Sequence, residues 1–154
     1  MDDQPATVVA FPLRGEWTAV NTPAERVPSH GTDQLGQRFA FDFLRIDWAS
    51  EGFRFHAQST LRYAVVGVPL DARCGSVRAA AGDRGTRGQH VADVGHSGNS
   101  TAPHLHFQLM DGPDLRTAQG LPCAFAEYDV HDGNAWQRVN DQVPGKRQRL
   151  RFAG

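Results

Sequence analysis

Two histidines one residue apart, His104 and His106, are the residues whose types and spacing most clearly suggest chemistry in this sequence. They lie in the run GHSGNSTAPHLHFQLMD, residues 95–111. Side chains two positions apart on a β-strand project from the same face, so a strand here would direct both imidazoles to one place. Such a pair suits a metal ligand beside a proton-transfer group. The alternative is that the two histidines are simply polar residues on a solvated strand face. A further metal ligand facing the same place would favour the metal site over this alternative.

Asp42 supplies a carboxylate that could face the same ion. It lies in the run FAFDFLRI, residues 39–46, where phenylalanines at alternate positions are typical of a strand. A buried carboxylate is unfavourable unless a cation, a metal ion or several hydrogen bonds accompany it. A salt bridge to Arg38 or Arg45 would also satisfy it, so Asp42 is a candidate metal ligand with a structural alternative.

His30 is the third candidate ligand. It lies in the loop run PSHGTD, residues 28–33, before the aspartate strand, and Asp33 in the same loop is its competitor. His30, Asp42 and His106 together would make a set of two imidazoles and one carboxylate. That set leaves one coordination position of a zinc ion open for water, as in catalytic zinc sites.

Strands must position these residues, because helix signals in the sequence are few. The chain has 16 glycines and 9 prolines in 154 residues, a turn-rich composition that favours β structure. Two predicted strands, at 38–48 and 104–111, carry apolar residues at alternate positions: Phe39, Phe41 and Phe43 on the first, and Leu105, Phe107 and Leu109 on the second. A small β extension around Asp132 and a solvated basic end complete the prediction, which is an all-β fold with little helix.

Composition and charge exclude several classes of function. The formal net charge of −1 gives no basic face for nucleic acid, and no apolar run reaches the roughly 18 residues of a membrane span. The N-terminus opens with two acids and a short apolar run broken by Pro12, so no signal peptide is visible. Cys74 and Cys123 exclude a cysteine-based zinc cage, and they leave open a single disulfide or two free thiols.

Three runs of the sequence resemble one family. GHSGNSTAPHLHFQL, residues 95–109, resembles the signature of lysostaphin-type zinc endopeptidases, which reads G-x-S-G-x-S-x-x-P-H-L-H-F. GDRGTRGQHVADVG, residues 82–95, is similar to the hairpin of that family. VPSHGTDQLGQRFAFDF, residues 27–43, is similar to a variant of its first motif, in which a longer loop separates the ligand histidine from the ligand aspartate.

That resemblance implies one zinc ion held by His30, Asp42 and His106, with His104 at the catalytic position. Zinc in such a site polarises a peptide carbonyl and lowers the pKa of its water, and a histidine beside it orients or deprotonates that water. Gln108, on the same strand face, would be a hydrogen-bonding group behind the ligands or a solvated residue. The implied substrate is a cross-bridge or stem peptide of bacterial peptidoglycan, and the implied location is extracytoplasmic, at the cell wall.

The resemblance also implies how the chain is organised. We expect an N-terminal extension at 1–26, a peptidase domain with a shortened central part at 27–130, and a C-terminal β extension at 131–154. The fold implied is an antiparallel sheet in a partly open, β-barrel-like sandwich with short loops.

The segment between Asp42 and the hairpin is short for this family. The family's long central stretch carries a further histidine, whereas His56 is the only histidine in the corresponding part of this chain. The alternative function is therefore that of a catalytically inactive relative, which keeps the fold, with or without zinc, and acts as a cell-wall-binding or hydrolase-regulating module.

Overall fold

β-Strands account for most of the secondary structure, which confirms the all-β prediction. The computed structural model describes residues 6–45, 60–61, 76–80, 83–84, 86, 89–95 and 103–152. Within these ranges the strands are β1 (Thr7–Val9), β2 (Gly15–Asn21), β3 (Phe41–Leu44), β4 (Thr60–Leu61), β5 (Ala92–Asp93), β6 (Leu105–Phe107), β7 (Leu109–Met110), β8 (Gly120–Leu121), β9 (Cys123–His131), β10 (Trp136–Gln142) and β11 (Arg149–Phe152). A short 3-10 segment, the Gln34–Phe39 turn, is the helical element of the described residues.

Seven strands form one curled sheet that resembles half of a barrel. The strand order is β1-β9-β11-β2-β3-β6, and β10 pairs with β9. β1 runs parallel to β9, whereas the other pairs in the sheet are antiparallel. The predicted partly open, barrel-like sheet is thus confirmed, with one parallel pair that makes it a mixed sheet.

Strands from both ends of the chain belong to the sheet that carries the candidate ligands. β2 lies between β3 and β11, and β11 in turn pairs with β9. Strands before residue 27 and after residue 130 therefore complete the sheet of the expected peptidase domain. The domain boundaries themselves stay a prediction. No helix in the described part of the chain has the length and apolar character needed to cross a membrane.

Phenylalanines form the centre of the core. The rings of Phe41 and Phe43 on β3 stack with their centroids 5.6 Å apart, and both are fully buried. Phe125 on β9 contacts both of them, and also Phe11 and Phe107, with ring centroids 5.0–5.8 Å apart. Burial of each ring contributes about 1.5–3 kcal/mol, so these side chains fix which face of each strand points inward.

The alternation of side chains places the candidate ligands on the opposite face. Asp42 lies between two core phenylalanines of β3, and its side chain therefore points away from them. Leu105 and Phe107 on β6 are buried, which leaves His104 and His106 on the face of Asp42. The predicted division into an apolar face and a histidine face is confirmed for β6, whereas Leu109 belongs to β7, which pairs with β8 in a separate sheet.

Phe39 departs from the prediction. The expected strand at 38–48 begins only at Phe41, and its residues 46–48 lie outside the described ranges. Leu35 and Gly36 have left-handed backbones, with φ of 57° and 69°. The chain before β3 consequently folds into the Gln34–Phe39 turn, and Phe39 belongs to that turn.

Candidate metal centre

Asp42 and His106 lie directly opposite each other on neighbouring strands. The register of β3 and β6 pairs the two residues, and His106 Nδ1 is 2.9 Å from Asp42 Oδ1. Directly opposed side chains on antiparallel strands have Cβ atoms about 4.5–5.5 Å apart, so the register alone brings the imidazole and the carboxylate together. The aspartate strand and the strand that carries His106 are therefore neighbours.

His30 reaches the same carboxylate from a loop. The loop is held to the Gln34–Phe39 turn where the Ser29 backbone N–H donates to the Arg38 carbonyl at 3.0 Å. His30 Nε2 lies 2.9 Å from Asp42 Oδ2. As a result, one ligand atom from each of His30, Asp42 and His106 lies within 4.8 Å of the others, and these three residues form the candidate metal centre.

Asp33, the competitor of His30 in this loop, is not a ligand. Its carboxylate binds the Arg38 guanidinium, with Arg38 Nη1 donating to the two oxygens at 2.9 and 3.0 Å. The Asp33 side chain is 61% exposed, so it takes no part in the candidate metal centre. The same ion pair occupies Arg38, and the carboxylate of Asp42 instead meets His30 and His106.

His104 lies at the edge of the candidate metal centre. Its Nε2 is 3.6 Å from Asp42 Oδ1, which is longer than a hydrogen bond. The side chain is 16% exposed, close to the 14% of His30 and of His106. His104 is thus close enough to act on a group bound at the centre.

Asp42 is held as a carboxylate. Burial by itself raises the pKa of Asp42, but hydrogen bonds from His106 and His30, the charge of His30 and a hydrogen bond from Asn21 outweigh burial and lower the pKa well below its ordinary value. Asn21 Nδ2 donates to Asp42 Oδ2 at 2.6 Å. The group is therefore the anion that a cation at this place requires.

Gln108 lies behind His106. It is only 1% exposed, and its Oε1 lies 2.8 Å from His106 Nε2. Its Nε2 donates to the Leu35 carbonyl at 2.8 Å and contacts Met110 Sδ at 3.0 Å. The alternative of a solvated strand residue is wrong, and Gln108 is a buried hydrogen-bonding group next to a candidate ligand.

Ser29 has the corresponding position behind His30. It is 1% exposed, and its hydroxyl lies 3.0 Å from His30 Nδ1. The same hydroxyl donates to the Gln37 carbonyl at 3.2 Å. Each candidate ligand histidine thus has one nitrogen towards Asp42 and the other towards a buried polar group.

This arrangement fits a divalent cation. The atoms that face one another are Nε2 of His30, Nδ1 of His106 and the carboxylate oxygens of Asp42. Hydrogen bonds at the observed distances require a proton on each of these two nitrogens, and a cation among the three side chains would replace both protons. Two imidazoles and one carboxylate are a donor set that zinc accepts in proteins. The group could therefore hold a metal ion.

Sequence reasoning missed two contributors to the site. Asn21 ends β2 and donates to Asp42, but nothing in its local sequence distinguishes it from an ordinary turn residue. Ser29 directly precedes His30, and a hydroxyl beside a candidate ligand is a signal that could have drawn attention to it. Gln108 was recognised as a candidate because its spacing from His106 puts it on the same strand face.

Some predictions concern parts of the chain outside the described residues. His56 and Cys74 fall there, as does most of the segment whose shortness motivates the inactive alternative. Cys123 is a free, buried thiol, and burial raises its pKa to about 12.

In the comparisons with known proteins, no family model, no curated protein and no solved structure matches the chain.

Proposed function

We propose that the protein is a zinc-dependent metalloendopeptidase that hydrolyses peptide bonds in bacterial peptidoglycan. The observation that carries the proposal is the convergence of His30, Asp42 and His106 to within 4.8 Å of one another, with His104 beside them. The resemblance of residues 95–109 to the lysostaphin-type signature supplies the substrate class, a cross-bridge or stem peptide.

The charge of the donor set suits hydrolysis. Two neutral imidazoles and one carboxylate cancel one of the two charges of a divalent ion, so the site keeps a net positive charge that favours a carbonyl oxygen. A bound zinc ion supplies Lewis acidity, which polarises a peptide carbonyl and lowers the pKa of water. His30, Asp42 and His106 hold the ion, and they contribute no further chemistry of their own.

His104 is the group that would move a proton. It directly precedes β6, and its Nε2 lies 3.6 Å from Asp42. An imidazole can accept a proton from water and return one to the leaving amine near neutral pH.

Purified peptidoglycan tests the proposal. The zinc-loaded protein should release new amino groups from it, and removal of the metal with a chelator should stop the release until zinc is restored. Mass spectrometry of the soluble fragments would identify the bond that is cut. A protein that holds zinc but releases no amino groups from any peptidoglycan type would contradict the enzymatic proposal.

The second candidate is the inactive relative, favoured by the short segment between β3 and the hairpin. Such a protein would sediment with insoluble peptidoglycan without hydrolysing it. Co-sedimentation of the zinc-loaded and metal-free forms, with chitin as a control polymer, would separate this function from catalysis.

A further inference from the structure

We infer that the Gln34–Phe39 turn is a common support for both ligand histidines, and that Gln108 and Ser29 are the positioning residues through which it acts. The turn provides two backbone carbonyls two residues apart, Leu35 and Gln37. Each carbonyl accepts a hydrogen bond from one of the positioning residues. The inference rests on the proposed metal site, but it concerns how that site is built.

The first connection fixes His106. The Leu35 carbonyl can only accept, so the Gln108 amide must turn its NH₂ group towards Leu35 and its Oε1 towards His106. Oε1 can in turn only accept, and it therefore takes the proton of His106 Nε2 at 2.8 Å. With that proton fixed on Nε2, Nδ1, which faces Asp42, is the nitrogen that would give up its proton to a metal ion.

The second connection fixes His30, with the roles of the two ring nitrogens exchanged relative to His106. The Ser29 hydroxyl has one proton, which it donates to the Gln37 carbonyl. It can then only accept from His30 Nδ1, so this ring keeps a proton on Nδ1, and Nε2, which faces Asp42, is the nitrogen that would give up its proton to a metal ion. The two histidines thus present different nitrogens to the carboxylate between them.

The burial of the positioning residues makes these connections consequential. Ser29 and Gln108 are each 1% exposed, so bulk water does not readily replace a hydrogen bond that either of them loses. Partners of this kind fix the ring orientation of metal-bound histidines, and their removal typically costs about 10–100-fold in metal affinity.

The turn is shaped for this task by a glycine. Gly36 has φ of 69°, and a Cβ there would lie 3.3 Å from Gln108 Nε2 and 2.9 Å from Met110 Sδ. A Cβ on Gly120 of β8 would overlap the carbonyl oxygen of Gly36. Close approach of the turn to Gln108 and to β8 therefore depends on the absence of side chains at these two positions.

Zinc affinity of the full-length protein tests the inference. Competition with a chromophoric chelator should show that Gln108→Met and Ser29→Ala each weaken zinc binding by about 10–100-fold. Gln108→Glu keeps an acceptor for His106 Nε2 but has no donor for the Leu35 carbonyl, so it should recover only part of the affinity. Gln37→Met is the matched control and should bind as the wild type does, because the structure uses the backbone carbonyl of Gln37.

Nitrogen chemical shifts of the histidine rings give a second readout, which a merely structural role would not move. The zinc-loaded wild type should show a proton on His106 Nε2 and on His30 Nδ1, with the metal on the other nitrogen of each ring. This measurement needs no substitution, so it decides the matter even if a variant fails to fold.

The possible failures are distinguishable. Unchanged zinc affinity in both Gln108→Met and Ser29→Ala, or zinc on Nε2 of His106, would overturn the positioning role and leave the metal site intact. A wild-type protein that binds no zinc would overturn the proposed function, and the support role with it.

Discussion

Asp42 and His106 are 64 positions apart in the chain, and His106 Nδ1 nevertheless lies 2.9 Å from Asp42 Oδ1 across β3 and β6. A shift of one residue in the register of these strands would turn every side chain of one strand to the other face. Asp42 would then enter the core and Phe41 would leave it. The burial of the phenylalanines therefore sets the register that brings the acid and the imidazole together.

The first prediction concerns Asp42 as the anion of the metal centre. We expect the wild type to bind about one zinc ion per chain and Asp42→Asn to bind less than about 0.1, because the substitution removes the only carboxylate of the donor set. Elemental analysis after dialysis measures both. Asp33→Asn is the matched control, since it makes the same change in the exposed Asp33–Arg38 ion pair.

Zinc should also stabilise the fold through Asp42. At a zinc concentration about 1,000 times the Kd, binding raises the free energy of unfolding by about 4 kcal/mol, so the melting temperature of the wild type should rise on zinc addition. Asp42→Asn should show no rise. If Asp33→Asn lost its zinc and Asp42→Asn kept it, the metal ligand would be Asp33 and the assignment to Asp42 would be wrong.

The second prediction separates proton transfer from metal binding. His104→Ala should keep its zinc and lose hydrolysis of peptidoglycan by about 10²–10⁴-fold, the usual contribution of a positioned acid–base group. His131→Ala, on β9, controls for the loss of an imidazole outside the site. Turnover at the wild-type rate in His104→Ala would remove His104 from the mechanism.

Local patterns in the sequence were sufficient to predict the strands that carry the ligands. The alternating phenylalanines of β3 and the alternating apolar residues of β6, Leu105 and Phe107, each define two faces, and burial of the apolar face leaves little choice for the other. The pairing of these strands is long-range information, and the similarity of two separate motifs to one family was what suggested it.

Contacts between distant segments could not be predicted in the same way. Asn21 meets Asp42 only because β2 pairs with β3. The left-handed backbone of Leu35 is unfavourable for a branched apolar residue, and no local signal marks it. Such features depend on tertiary packing, which overrides the preferences of single residues.

The basic end of the chain shows the same limit. A solvated tail was expected, but β11 lies inside the sheet between β9 and β2. Arg149 binds Glu16 with Nη2 to Oε2 at 2.6 Å, and Arg151 lies over the ring of Trp136 at 4.3 Å. A strand with charged residues at alternate positions has one polar face and one apolar face. The arginines are therefore compatible with a strand whose apolar face packs against the core.

The third prediction concerns the glycine of the supporting turn. Gly36→Ala should lower the free energy of unfolding by about 1–3 kcal/mol, because it adds close contacts with the Met110 and Gln108 side chains to the strain of a left-handed backbone, and it should weaken zinc binding. Gly15→Ala is the matched control: Gly15 has φ of 83°, and a Cβ there meets nothing within 4 Å. It should cost about 1–2 kcal/mol and leave zinc affinity unchanged. Equal zinc affinity in the two variants would contradict the role of the turn.

The fourth prediction concerns stability in acid and the residue Asp129. This residue lies on β9, which β11 and β2 separate from the ligand-bearing strand β3. A hydrogen bond from Arg138 is the main cause that lowers the pKa of Asp129, with Arg151 adding to it. A lowered folded-state pKa stabilises the fold above the unfolded value of about 3.9, and the stabilisation is lost as the pH falls through the folded-state pKa. Asp129→Asn should therefore be less stable than the wild type at about pH 7, by on the order of 1 kcal/mol because both arginines are partly exposed, and the difference should be smaller at about pH 2. Urea unfolding at both pH values measures this, with the exposed Asp114→Asn as the control for one lost charge. A gap between wild type and Asp129→Asn that persists unchanged at low pH would mean that the arginine pairs do not act through the charge of Asp129.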